Sequence, residues 1–196
     1  MGRVSRTQAQ ENRRRVVETA SRLLREQGTA VSVADLMKAA GLTHGGFYKQ
    51  FASKEALVGE ATAHAFEDLA RQHAETRARH EADPAELREA VVDAYLSAAH
   101  RDAPATGCPV AALATDMARE PGNAEAHRIY AEGAAAFAAF LGTDDEDGLT
   151  RLCTMIGALT LARATKNTAL SDQILAAARN SLNGPRDQEG DPTPGS

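Results

Sequence analysis

The run from Gly41 to Leu57, Gly-Leu-Thr-His-Gly-Gly-Phe-Tyr-Lys-Gln-Phe-Ala-Ser-Lys-Glu-Ala-Leu, constrains this chain more than any other stretch. It reads as a turn, a very short helix with two adjacent glycines, a second break and the capped start of a longer helix. Gly45 and Gly46 each cost a helix about 1 kcal/mol relative to alanine. Stability alone does not select such a helix. The glycines make sense where the backbone approaches another surface closely, and Tyr48, Lys49 and Lys54 mark that surface as anionic. Upstream, the residues from Ser32 to Ala40 read as another short helix. Ser32 with Asp35 resembles a capping box in which Asp stands for the usual Glu. Val33, Leu36, Met37 and Ala40 fall on one face at i, i+3, i+4 and i+7. Gly41 suits the left-handed residue that ends a helix, and Thr43 suits the cap that starts the next. Helix, tight glycine turn, helix is the order of a helix-turn-helix.

Residues from about 10 to 60 resemble the DNA-binding domain of the TetR family of bacterial transcriptional regulators. The match spans a basic first helix, Ser32 to Leu42, and the string Gly-Phe-Tyr-x-x-Phe-x-Ser-Lys-Glu-x-Leu from Gly46 to Leu57. One departure stands out: Gly46 occupies a position where the family often has a small hydroxyl residue. The resemblance implies a DNA-binding set of Ser32, Thr43, His44, Gly45, Gly46, Tyr48, Lys49 and Lys54. In it Thr43 and His44 face base edges or phosphates, Tyr48 reaches a phosphate through its hydroxyl, and Lys49 meets phosphate or guanine. The bland alternatives are that Tyr48 packs and Lys49 is a solvated charge. Lys54 sits in the first turn of a helix, where the dipole disfavours cations, and a phosphate held there by free N–H groups would offset this. Arg3 and Arg6 read either as a minor-groove arm or as a frayed terminus.

Charge supports the polyanion reading only once its distribution is considered. The net charge is −5. Residues 1–60 carry ten Lys/Arg against six Asp/Glu, whereas residues 61–196 carry twelve against twenty-one. One lobe faces a polyanion and the other avoids it. An architectural DNA protein, basic throughout, fits this poorly. No apolar run approaches the roughly 20 residues that span a bilayer. Two cysteines make no disulfide framework, and the basic N-terminus lacks a signal peptide's apolar stretch. The expected location is cytoplasmic.

Strand-like alternation is missing, so the expected fold is all-α. The expected organisation is a helix-turn-helix domain over 1–52, a ligand-binding and dimerisation domain over 53–183, and a disordered tail over 184–196. Helical patterns cover 10–27, 53–79, a segment opened by Asp83-Pro84, one opened by Pro109 and stopped before Pro121-Gly122, 123–141, one opened by the acids 144–147, and 171–183. Residues 101–107 read as a loop. Leu149, Leu152, Ile156, Leu159 and Arg163 form one line, and Met155, Ala158 and Ala162 a second beside it. Two lines need two partners. By resemblance, Leu152, Ile156, Leu159, Ile174 and Leu182 belong to a four-helix bundle shared by a twofold homodimer.

The resemblance also implies a small-molecule effector in the C-terminal lobe. Tyr95, Met117, Tyr130, Phe137 and Met155 are its candidate lining, with Tyr95, Tyr130 or Thr160 as polar anchors for a lipophilic ligand; plain core is the alternative. The partners expected are a pseudo-palindromic operator, a second copy and that effector, with no cofactor and no metal. His64, His73 and His80 lack the i, i+4 spacing of a zinc helix. Cys108 reads either as a helix-terminal thiolate that senses oxidants or as a small apolar residue; Cys153 reads as core. No nucleophile, base and orienting acid assemble, so an all-helical enzyme or carrier is the weaker alternative.

Overall fold

The computed structural model describes residues 6–119, 122–142 and 147–184. Among them every regular element is helical: α1 (Arg6–Gln27), α2 (Val33–Ala39), a 3₁₀ helix (His44–Lys49), α3 (Lys54–Arg79), α4 (Pro84–Tyr95), α5 (Ala98–Asp102), a 3₁₀ turn (Pro104–Thr106), α6 (Pro109–Arg119), α7 (Ala124–Leu141), α8 (Gly148–Ala164) and α9 (Ala169–Asn183). None of these helices is long and apolar enough to cross a membrane. Arg3, Pro121, the acids 144–146 and the tail beyond Gly184 lie outside the described residues.

Local chemistry sets most boundaries. The Ser32 hydroxyl accepts the Asp35 N–H at 3.1 Å, Ser53 caps α3 through the Ala56 N–H, and Asp83 caps α4 ahead of Pro84. Asp147 caps α8 by accepting the Leu149 N–H at 2.9 Å. Gly28 and Gly41 close α1 and α2 at φ of +81° and +71°, a region open to glycine and strained for other residues. α9 begins at Ala169 rather than at Ser171, and two other boundaries depart from expectation. α1 begins at Arg6 rather than at Gln10, since Arg, Gln and Ala are good helix formers and no Gly or Pro interrupts them. The expected loop 101–107 holds the end of α5 and a 3₁₀ turn, because Ser97 caps α5 by accepting the His100 N–H at 3.1 Å.

Two apolar clusters organise the molecule. The first joins Val16, Ala20 and Leu24 of α1 to Leu36, Met37, Phe47, Phe51 and Leu57, and extends to Leu113, Met117 and Ala126 of α6 and α7. The second joins Val92, Tyr95 and Leu96 to Phe137, Leu141, Leu152, Met155, Leu159 and Leu175. α3 touches both, through Leu57, Val58 and Ala61 at one end and Phe66 and Leu69 at the other. The N-terminal cluster therefore does not close on itself. It borrows side chains from the C-terminal helices, so movement of α6 or α7 is felt in the helix-turn-helix.

Candidate DNA-reading surface and effector cavity

The turn between α2 and the 3₁₀ helix is closed by its own backbone. The Leu42 N–H donates to the Met37 carbonyl at 2.9 Å and the Gly41 N–H to the Lys38 carbonyl at 3.0 Å. Phe47 and Phe51, buried with rings 5.5 Å apart, anchor the segment from below. Arg13 lies over the Phe51 ring at 4.7 Å while its guanidinium pairs with Glu60 at 2.6 Å, so this basic residue of α1 is committed to packing.

With that anchoring, the other residues of the short helix face outward. Thr43, His44, Gly45, Tyr48 and Lys49 are exposed, Tyr48 to 68%. Thr43 occupies the cap position, yet its hydroxyl makes no capping bond and its carbonyl accepts the Gly46 N–H instead. A Cβ on Gly45 would meet nothing within 4 Å, and one on Gly46 would make only ordinary contacts with Met37 and Thr43. The protein's own packing gives no reason for Gly45. Ser32 is exposed, but its hydroxyl is taken up by the Asp35 backbone and carboxylate. Lys54 points elsewhere: its amine donates to the Thr29 carbonyl at 2.6 Å, an intramolecular answer to its unfavourable helix position.

Further polar bonds tie the helix-turn-helix and the start of α3 to the helices beyond. The Thr29 N–H donates to Asp116 of α6 at 3.2 Å, and Asn123, the cap of α7, donates to the Glu55 carbonyl at 3.0 Å. Arg25 is buried at the end of α1, donates to the Gly107 carbonyl at 3.1 Å and lies 3.8 Å from Asp68. Burial lowers its pKa, against the pull of Asp68.

The segment that receives Arg25 is held from the far side as well. Arg163 of α8 donates to the carbonyls of His100 and Arg101, and Arg101 reaches Ser171 and Asp172 of α9. His100 Nδ1 lies 2.7 Å from the Tyr95 carbonyl and Nε2 accepts the Cys108 N–H at 3.1 Å. Both nitrogens are used, which sets the tautomer with the proton on Nδ1; burial lowers this imidazole's pKa.

Two neighbouring cavities open between α3, α4 and α7. The inner, about 200 Å³, is bounded by Leu69, His73, Val91, Tyr95, Cys108 and Phe137 among others. The outer, about 520 Å³, shares Leu69, His73 and Phe137 and adds Phe66, Arg77 and Phe140. His73 stacks parallel on Phe140 at 4.0 Å and lies 4.6 Å from Phe137. Burial, helped by Arg77, pushes its pKa down to about 4.

Of the five expected lining residues, Tyr95 and Phe137 face these cavities. Met117 belongs to the N-terminal cluster, Met155 is fully buried core, and Tyr130 spends its hydroxyl on the Val110 carbonyl at 2.8 Å. Thr160 is exposed. His73, Leu69 and Phe66 carry no distinguishing signal in the sequence, because their spacings of three and four on α3 read equally as core. Of the expected dimer residues, Leu152 and Leu159 are buried in the protomer's own core, and Ile156, Ile174 and Leu182 pack against it half-buried. Among the outward residues of these helices are Leu149, Cys153, Gly157, Leu161, Leu170 and Ala177. Cys153, expected in the core, is exposed, and Cys108 is the buried thiol. Desolvation raises the Cys108 pKa, opposite to what a helix-terminal thiolate needs.

The comparisons follow the same division of the chain. Residues 16–61 match the model described as bacterial regulatory proteins, tetR family. The HTH-type transcriptional regulator AcrR of Shigella flexneri is 32% identical over 94 residues, 47% of this chain; the match spans 44% of that protein's length. A TetR transcriptional regulator from Chloroflexus aurantiacus superposes with a TM-score of 0.68 at 22% identity, covering 90% of this chain and 94% of that one. AibR, solved in complex with isovaleryl coenzyme A and operator DNA, gives a TM-score of 0.60 at 18% identity, covering 89% and 100%. The two structural likenesses speak for the fold, and residues 16–61 carry the domain that the tetR family model describes.

Proposed function

We propose that this chain is a homodimeric, DNA-binding transcriptional regulator, a repressor that a lipophilic small molecule releases from its operator. The observation that carries the reading is the outward face of the 3₁₀ helix. Thr43, His44, Tyr48 and Lys49 stand exposed around a glycine for which internal packing has no use. Such a face suits insertion into the major groove, with Tyr48 and Lys49 on phosphate or base edges. The family model matched over 16–61 describes bacterial regulatory proteins, and a fold neighbour solved with operator DNA supports the partner class. Lys54 enters the DNA-contacting set where the N–H groups left over from its bond to the Thr29 carbonyl reach a phosphate.

The outward stripe of Leu149, Cys153, Gly157 and Leu161 on α8, with Leu170 and Ala177 on α9, is the surface we assign to the second copy. Leu161 is 57% exposed and Leu170 51% exposed, costly positions for leucine in water. A Cβ on Gly157 would meet nothing within 4 Å in the protomer, which leaves room for a helix to approach closely. A twofold dimer would present two recognition helices about 34–36 Å apart on the operator.

Release follows from the segment His100–Cys108. It lines the inner cavity with His100, Thr106 and Cys108, and it holds Arg25 of the DNA-binding domain through the Gly107 carbonyl. An effector that displaces this segment shifts Arg25 and the end of α1, and it acts by binding the non-operator arrangement better. Thiol sensing through Cys108 loses ground, because its sulfur is buried and its thiolate disfavoured. A gel shift with duplexes from the gene's own upstream region tests the reading. Specific binding by the wild type, abolished in the Tyr48→Ala, Lys49→Ala double variant, supports it. Unaltered binding by that folded variant sinks it.

A further inference from the structure

The inner cavity restricts what the effector can be. Apolar groups and aromatic faces make up most of its wall, Gln72, Thr76 and Thr106 are its neutral polar members, and neither cavity has an Asp or Glu in its lining. A cation would lose its hydration there with no carboxylate to replace it, and Arg77 stands at the outer cleft, over Phe140 at 5.2 Å. A carboxylate in the inner cavity would find no cationic side chain in the lining. The imidazole of His73 is neutral, and both nitrogens of His100 are already bonded.

One buried polar atom of this lining lacks an ordinary partner. Tyr95 lines this cavity and is 7% exposed, and its hydroxyl is buried without a hydrogen bond of ordinary geometry, although the Cys108 thiol lies nearby. A buried hydroxyl left unpaired is costly, so a ligand that supplies a partner recovers that cost. Leu69, Val91, His73 and Phe137 offer the rest of the ligand flat and apolar surface. The stack of His73 on Phe140, 2° from parallel, shows how this wall accepts planar groups.

Resting on the effector reading above, we propose that the cavity takes an uncharged, flat, lipophilic molecule whose single hydrogen-bonding oxygen meets the Tyr95 hydroxyl. The oxygen sets specificity and the ring system supplies most of the burial. At about 200 Å³ the inner cavity suits a bicyclic ring system, with any longer substituent passing His73 into the outer cleft.

Four probes with one ring system and different head groups test this on the full chain: 2-naphthol, naphthalene, 2-naphthoate and 2-naphthylmethylammonium. Binding is read by titration calorimetry and by the shift in melting temperature. The expected result is 2-naphthol bound about tenfold more tightly than naphthalene, as one recovered hydrogen bond implies, with both charged probes weaker than either. Tyr95→Phe should erase the advantage of naphthol and leave naphthalene unchanged. Ala90→Leu, which fills the cavity wall, should weaken naphthol and naphthalene together. Preference for a charged probe, equal affinity for naphthol and naphthalene, or a naphthol preference that survives Tyr95→Phe overturns the proposal. Should Tyr95→Phe not fold, the wild-type ranking and Ala90→Leu decide. The regulator reading is tested separately by DNA binding of the ligand-free protein, and the head-group ranking stands or falls whatever that assay returns.

Discussion

At the scale of single residues, the short helix separates two jobs that adjacent positions perform. Phe47 has no exposure and Tyr48 has 68%, and the 3₁₀ geometry sends them to opposite sides. Phe47→Ala should cost about 3–5 kcal/mol of stability by leaving a cavity under the turn. Tyr48→Ala with Lys49→Ala should alter stability by less than about 0.5 kcal/mol each, because both side chains are solvated. Urea denaturation separates the two cases. On DNA the order reverses: the exposed pair should lower affinity and flatten its salt dependence by about one unit of slope per lost phosphate contact. Lys54 is a third kind of residue. Its amine holds the Thr29 carbonyl, so Lys54→Met should cost about 1 kcal/mol in urea.

At the scale of elements, α5 and the turn that follows it are a linkage disguised as a loop. Gly107 sits where a side chain would crowd its neighbours: a Cβ there would lie 2.9 Å from Arg163 Nη2, 3.1 Å from His100 Nε2 and 3.2 Å from the Ala103 carbonyl oxygen. Gly107→Ala should therefore destabilise by about 1–3 kcal/mol through overpacking. Since the same residue's carbonyl receives Arg25, the substitution should also change the ligand concentration needed to release DNA. A variant that melts lower yet responds to ligand at the wild-type concentration would sever the linkage from the stability effect. The element is hard to see in the sequence because Ser97, its cap, precedes only five helical residues, too few for periodicity to show.

At the scale of the molecule, two measurements probe assembly and acid stability. Leu161→Asp would place a charge in the proposed face between copies, so the variant should sediment as a monomer at a micromolar concentration at which the wild type should sediment as a dimer. Because Leu161 is exposed in the protomer, the variant should keep its fold. Cys153 gives an independent readout: it should react with a thiol reagent readily in the monomeric variant and slowly in the dimer, while Cys108 reacts only on unfolding. Acid should weaken the C-terminal lobe. His73 is held at about 4 in the folded protein and titrates near 6.5 when unfolded, so between those values the unfolded chain binds more protons. Stability from this group is complete above about pH 6.5 and falls as the pH drops towards 4. His73→Phe should flatten that part of the profile of urea midpoint against pH.

The helix-turn-helix is legible in the amino-acid sequence alone, since its signals are local: a cap at Ser32, a left-handed glycine at Gly41, a cap at Ser53, and apolar residues in step with the helix. Such signals act within a few residues and survive whatever surrounds them. The all-helical class, Asp83-Pro84, and the start of α6 at Pro109 are legible for the same reason. Which side of α8 faces the protomer's own core is not. Leu152 and Ile156 lie on one apolar line and Cys153 falls inside the same pattern, and periodicity marks a stripe without saying what covers it. Only packing against α7 and α9 buries Leu152 and Leu159 and turns Cys153 outward. The cavity is hidden similarly, because His73, Tyr95 and Phe137 come from three helices and adjoin one space only after those helices cross. Burial, an unpaired hydroxyl and a depressed imidazole are properties of neighbours, and neighbours distant in the chain are chosen by the tertiary structure.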